Sequence, residues 1–191
     1  AMKETAGIAI LGGSFNPVHI GHLRLAIEVY ENLNMSRVEL VPAFLPPHKQ
    51  GQDMLPFALR LAMLKSAVEN IPGLTVNALE GERAGPSYTW DTLGIYAEKH
   101  PDVPLFFILS LQDLATLPFW RHGRELINRA TLIVAPRDGE DEADFCALVE
   151  SIWGAYVSFP APDGCLAACE VNCPGVKGRI VLLKWSVLNI S

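Results

Sequence analysis

Two histidines three residues apart, His19 and His22, close the stretch Gly12-Gly13-Ser14-Phe15-Asn16-Pro17-Val18-His19-Ile20-Gly21-His22. Glycines at 12 and 13 let backbone N–H groups approach an anion, because no Cβ intrudes. Pro17 stiffens the bend. The helix that follows turns its positive N-terminus toward the same place. With His19 just before that helix and His22 in its first turn, the spacing puts both imidazoles on one face. The chemistry this suits is phosphate binding with charge dispersal. A phosphoanhydride under attack gathers charge on its non-bridging oxygens, and fixed imidazoles and helix amides can stabilise it.

The elements that must position this loop alternate regularly. Ile8–Leu11 reads as a strand and Gly21–Leu33 as a helix, apolar at Leu23, Ala26, Ile27 and Tyr30. Arg37–Pro42 is a second strand. The spacing predicts a helix over Leu55–Asn70, with Leu59, Ala62, Met63 and Ala67 as its buried stripe. Leu74–Leu79 is a third strand, Thr89–His100 a helix, and Leu105–Leu109 a fourth strand, continuously apolar and hence buried on both faces. A short helix at Arg124–Asn128, a strand at Thr131–Ala135, a helix at Asp141–Trp153 and strands at Ala155–Phe159 and Arg179–Trp185 complete the pattern. Such alternation implies an α/β fold: a Rossmann-like, doubly wound, mostly parallel sheet with helices on both faces. No domain boundary is visible, so residues 1–191 read as one domain. Ligands on such sheets bind at the carboxyl ends of the strands, which makes the loops after each strand the places to read.

The run GGSFNPVHIGH resembles the signature of the H-x-G-H nucleotidylyltransferases. Three further stretches make the resemblance narrower: Phe44-Leu45-Pro46-Pro47-His48-Lys49, Pro86-Ser87-Tyr88-Thr89-Trp90-Asp91-Thr92-Leu93, and Leu117-Pro118-Phe119-Trp120. Together they look like bacterial nicotinate-nucleotide adenylyltransferase. The resemblance implies transfer of AMP from ATP to nicotinate mononucleotide, giving nicotinate adenine dinucleotide and pyrophosphate in NAD biosynthesis. It implies His19 and His22 as the catalytic pair. Gly12, Gly13, Ser14, Phe15, Asn16, Gln112 and Asp113 would contact ATP. His48, Lys49, Tyr88, Thr89 and Trp120 would contact the acceptor. Mg²⁺ would be carried mainly by ATP phosphates, with no dedicated protein ligands. Two alternatives stand beside this reading. One is a related enzyme using nicotinamide mononucleotide or phosphopantetheine as acceptor, and the other a nucleotide-binding protein with weak catalysis.

The residues suit these roles on their own chemistry. An aromatic face such as Trp120 can stack on a cationic pyridinium. Thr89 at a helix start offers exposed N–H groups to a carboxylate. Tyr88 is equally compatible with the core. His48 and Lys49 sit on a polar loop at the ligand-binding edge, where contact with substrate phosphates competes with plain solvation. Arg137, after the fifth strand, faces the same edge.

Two departures from the family pattern stand out. Where the family has Gly-x-Asp after the fourth strand, with the Asp near the nucleotide ribose, this chain has Ser110-Leu111-Gln112-Asp113. Either Asp113 takes the role one residue late or Gln112 makes a neutral hydrogen bond in its place. The chain also stops at Asn189-Ile190-Ser191, inside a segment of the type I-S-x-T-x-I-R. Set against the family, it is expected to lack its C-terminal segment.

Composition sets the outer bounds. A hydrophobic share of 50% with 19% charged residues in 191 supports a sizeable core. A net charge of −6 argues against a protein that lives on nucleic acid or on an anionic membrane. The most apolar stretch, Val103–Leu111, is far short of the roughly 20 residues needed to span a bilayer. No basic start followed by an apolar run marks a secretory signal. The expectation is a cytoplasmic monomer or small homo-oligomer whose partners are ATP and nicotinate mononucleotide. Cys165, Cys169 and Cys173, spaced C-x3-C-x3-C, read as reduced thiols in a loop. Their spacing lacks the zinc knuckle and no histidine lies nearby.

Overall fold

The computed structural model describes residues 5–44, 53–83, 86 and 88–184. Its strands are β1 (Gly7–Gly13), β2 (Met35–Pro42), β3 (Leu74–Val76), β4 (Leu105–Ser110), β5 (Thr131–Ala135), β6 (Val157–Pro160), β7 (Ala167–Asn172) and β8 (Arg179–Leu183). The helices are α1 (Ile20–Asn32), α2 (Phe57–Val68), α3 (Thr89–Lys99), α4 (Leu111–Thr116) and α5 (Glu142–Trp153). The strands form one sheet in the order β3-β2-β1-β4-β5-β8-β7-β6. From β3 to β8 every pairing is parallel, and β8-β7-β6 is antiparallel.

Apolar runs in the central strands explain this arrangement. Ile8, Ile10, Phe107, Leu132 and Val134 face one core cluster, with Leu93 and Tyr96 of α3, Leu114 of α4 and Phe145 and Val149 of α5. Ala9, Leu11, Val38, Leu40, Ile108 and Ile133 face the other, with Leu25, Ala26 and Val29 of α1 and Leu64 and Val68 of α2. Helices therefore cover both faces, as the alternation predicts. In α1, Leu23, Ile27 and Tyr30 flank the buried row rather than forming its centre. The order reverses between β1 and β4, which both run parallel from a common edge. A crevice must open there beyond the strand ends, because successive crossovers leave in opposite directions. Among the described residues no helix is long and apolar enough to cross a membrane.

Four expectations need correction. First, α2 buries Arg60, Leu64 and Val68, while Leu59 and Met63 are 46% and 37% exposed. The helix carries two competing rows at helical spacing, and the hydrogen bonds of Arg60 select the row with fewer apolar residues. Second, the cysteines do not share a loop. Cys169 lies buried within β7, Cys173 is buried just after it, and only Cys165 is exposed. Burial pushes the Cys169 thiol up to about 12 and raises that of Cys173, so both are protonated thiols at neutral pH. Third, the third strand ends at Val76, and Leu79–Glu82 forms a 3₁₀ turn. Fourth, the segment at 123–128 is 3₁₀ rather than α-helical, and α4 directly follows β4. Trp185 and the Asn189–Ser191 end lie outside the described residues.

Candidate active site

A cleft of about 1400 Å³ opens where β1, β4 and β5 end. Its lining includes Gly12, Gly13, Ser14, Phe15, Asn16, His19 and His22 from the first loop. Tyr88 and Thr89 line it from the start of α3, Gln112 and Asp113 from α4, and Trp120 and Arg137 from the loops beyond. The structure thus brings together every expected site residue that it describes. His48 and Lys49 lie outside the described residues.

The two histidines are fixed by the helix they introduce. His19 is the N-cap of α1, and its Nδ1 accepts from the Gly21 N–H at 3.1 Å. The His22 Nδ1 in turn accepts from the His19 N–H at 3.2 Å. This is a capping box built from imidazoles in place of the usual hydroxyl and carboxylate. Because each Nδ1 is an acceptor, the proton of each neutral ring is assigned to Nε2. The rings stack with centroids 3.7 Å apart and planes 26° from parallel. A Cβ on Gly21 would come within 2.9 Å of the His19 ring, so the glycine between the histidines makes room for the cap.

Phe15 backs this pair. It is 2% exposed, meets the His22 ring edge-on at 4.9 Å, and has a φ of 46°. A phenylalanine in the left-handed region costs on the order of 1–3 kcal/mol, and here burial of the ring holds it there. Asn16 works as a clasp: Leu55 N–H donates to its Oδ1 at 2.8 Å, and its Nδ2 donates to the Asp53 carbonyl at 3.2 Å.

Around the rest of the cleft the fittings differ. Tyr88 is the N-cap of α3 and contributes no side-chain bond to the helix, Asp91 stands in its first turn, and the first-turn N–H groups beside Thr89 form the positive end of its dipole. A buried relay supports that end: Thr92 donates to Glu80 at 2.7 Å and accepts from Arg83 at 2.8 Å. Trp120 packs edge-on against Phe107, and its Nε1 donates to Thr116 at 3.0 Å. A Cβ at Gly123 would run into the Leu117 carbonyl, so only glycine lets the chain fold back beneath Trp120. Phe119, 82% exposed, lines the cleft beside it. Arg121 sits over the Tyr88 ring at 5.0 Å.

The Ser110–Asp113 departure has a structural explanation. Ser110 caps α4 by accepting from the Asp113 N–H at 3.0 Å, and the Asp113 carboxylate accepts from the Ser110 N–H at 3.4 Å. Both Gln112 and Asp113 are exposed and line the cleft, but the Asp113 carboxylate is engaged in starting a helix.

Residues 10–176 match the family described as Cytidylyltransferase-like. The chain belongs to that family. It is 42% identical over 137 residues to a protein of Aeromonas salmonicida (strain A449) named "Probable nicotinate-nucleotide adenylyltransferase", covering 70% of this chain and 62% of that one. A protein of the same name from Aeromonas hydrophila is 42% identical over 159 residues, covering 82% of this chain and 72% of that one. The chain thus spans less than two thirds of the length of the first of these relatives. The solved structure of a Plasmodium falciparum nicotinic acid mononucleotide adenylyltransferase, complexed with NaAD, has the same fold. Its TM-score is 0.65 at 20% identity, over 74% of this chain and 70% of that one.

Sequence reasoning missed Arg60, Glu80, Thr116 and Arg121. Arg60 had one local signal, a cation at helical spacing on the same row as Leu64 and Val68. The others touch the cleft only through tertiary contacts.

Proposed function

We propose that the chain transfers AMP from ATP to nicotinate mononucleotide, forming nicotinate adenine dinucleotide and pyrophosphate. The observation that carries this is the His19–His22 capping box at one cleft with Trp120 and the start of α3, whose N-cap Tyr88 makes no side-chain bond to it. The first holds donors for a polyphosphate, and the other two suit a flat cationic ring that bears a carboxylate. The names of the relatives support the same reading.

In this reading a phosphate oxygen of the mononucleotide attacks the α-phosphorus of ATP. The bond from that phosphorus to the bridging oxygen of the β-phosphate breaks, and pyrophosphate leaves with the electron pair. The acceptor phosphate has a second pKa of about 6, so it is already largely dianionic at neutral pH and needs no general base. His19 and His22 stabilise charge on the transferring phosphoryl group. Alignment of the two substrates along the cleft supplies roughly 7–11 kcal/mol. Glu80 and Asp113 are already engaged by Thr92 and Ser110. Mg²⁺ would be held mainly through the triphosphate, and its charge would help to neutralise the departing pyrophosphate. We place Gln112 at the nucleotide ribose.

The test mixes the full-length protein with ATP, Mg²⁺ and one acceptor at a time: nicotinate mononucleotide, nicotinamide mononucleotide or phosphopantetheine. Pyrophosphate release with the first, above the other two, supports the proposal. Faster release with another acceptor reassigns the substrate. ATP binding without release from any acceptor would leave a nucleotide-binding protein.

A further inference from the structure

We infer that Arg60 is a positioning residue for the polyphosphate part of the cleft, acting through the Ser14–Phe15 peptide. This deepens the proposed adenylyl transfer and rests on that reading for its ligand.

Arg60 is 2% exposed. Its hydrogen-bond partners among the described residues are all backbone carbonyls, and its guanidinium also lies over the Phe57 ring, 5.4 Å from the centroid. Nε donates to Leu55 at 2.9 Å, Nη1 to Ser14 and to Ala43 at 2.7 Å each, and Nη2 to Phe44 at 3.2 Å. Those carbonyls come from three places: the loop after β1, the loop after β2, and the entry to α2. Burial lowers the Arg60 pKa, yet a guanidinium stays charged at any working pH. No carboxylate pairs with it among the described residues. A buried cation compensated by carbonyl dipoles and one aromatic face, with no carboxylate beside it among the described residues, is an expensive way to brace a loop. The electrostatics give it a further use.

In a planar trans peptide the C=O and N–H point in opposite directions. A Ser14 carbonyl aimed at Arg60 therefore turns the Phe15 N–H away from Arg60. Ser14 and Phe15 both line the cleft, and the left-handed φ of Phe15 keeps this peptide in its turned orientation. The cation behind the carbonyl polarises the peptide, which makes its N–H a stronger donor to an anion. Arg60 thus presents positive charge to the cleft without exposing a side chain there. Lysine can replace the charge but not the planar fork that serves four carbonyls at once.

The test titrates inorganic triphosphate, ATP and nicotinate mononucleotide separately into the full chain and into Arg60→Lys and Arg60→Met, with melting temperatures recorded alongside. Triphosphate and ATP affinity should fall about tenfold or more in both variants, while mononucleotide affinity stays within about threefold. A purely structural brace would lower all three affinities together with the melting temperature. That result, or triphosphate affinity within about threefold in Arg60→Lys, overturns the inference. Should Arg60→Met fail to fold, the wild-type chain labelled with ¹⁵N-phenylalanine still decides the matter. Its Phe15 amide resonance must move on saturation with inorganic triphosphate, and an unmoved resonance overturns the inference. A chain that binds triphosphate in an Arg60-dependent way but releases no pyrophosphate with nicotinate mononucleotide upholds the inference and overturns the function.

Discussion

The imidazoles of His19 and His22 stack at 3.7 Å, and each accepts a backbone N–H at the start of α1 through its Nδ1. One interaction sets the helix boundary, the ring tautomers and the direction of both Nε2 donors. Cap acceptor and candidate donor are the two nitrogens of the same rings, so their roles separate only through substitutions that spare one of them.

In the proposed reaction, replacing His22 by alanine removes a donor that would matter most when charge builds on the transferring phosphoryl group. Turnover should fall about 10²–10³-fold, as when one oxyanion donor is deleted. The Michaelis constants of both substrates should change far less. Steady-state kinetics that show only weakened binding would remove the transition-state role.

Gly21→Ala separates cap geometry from helix stability. The added Cβ meets the His19 ring at 2.9 Å and pushes it from its stacked position. Alanine at a helical position also recovers roughly 0.5–1 kcal/mol of backbone entropy, which offsets part of the lost cap. Turnover should fall about 10- to 100-fold while chemical denaturation gives a stability within about 1 kcal/mol of wild type. A crystal structure with the His19 ring unmoved would contradict this account.

Gln112 and Asp113 should part company on substitution. Asp113→Ala removes half of the α4 capping box, so it should cost about 1 kcal/mol and lower the melting temperature by about 2–4 °C. Its Michaelis constant for ATP should stay near wild type. Gln112→Ala should leave the melting temperature alone and raise that constant about three- to tenfold, the worth of one neutral hydrogen bond. The opposite pattern would make Asp113 the nucleotide ligand.

Much of this site is legible in local sequence because its information is local. The glycines, the two histidines and the helix start lie within eleven residues, and strand–helix alternation places their loop at a sheet edge. The buried face of α2 is not local. Leu59 and Met63 look like core, and only carbonyls from the loops after β1 and β2 turn Arg60 inward in their place. β7 escapes notice because its alternation, Cys169-Glu170-Val171-Asn172, runs for only four residues behind two alanines, and its burial depends on β8 beside it. The capping role of Asp113 hides behind a family pattern that assigns a carboxylate to its neighbour.

Glu39 gives the fold a pH dependence with a determined sign. Burial raises its carboxyl pKa, but hydrogen bonds from Tyr96, Arg37 and Asn77 outweigh burial and hold it below the ordinary 4.5. The Tyr96 hydroxyl donates at 2.7 Å and thereby ties α3 to β2. The unfolded chain takes up this proton near 4.5 and the folded chain only at lower pH. The stabilisation is therefore complete above 4.5 and is lost as pH falls through the lower folded value. Glu39→Gln should be less stable than wild type by about 1–3 kcal/mol at pH 7, because it loses the charge-assisted bonds. Urea unfolding from pH 7 down to about 3 should show that gap narrowing below the ordinary carboxylate range. A gap independent of pH would mean that shape, rather than charge, is what Glu39 contributes to the contact between α3 and the sheet.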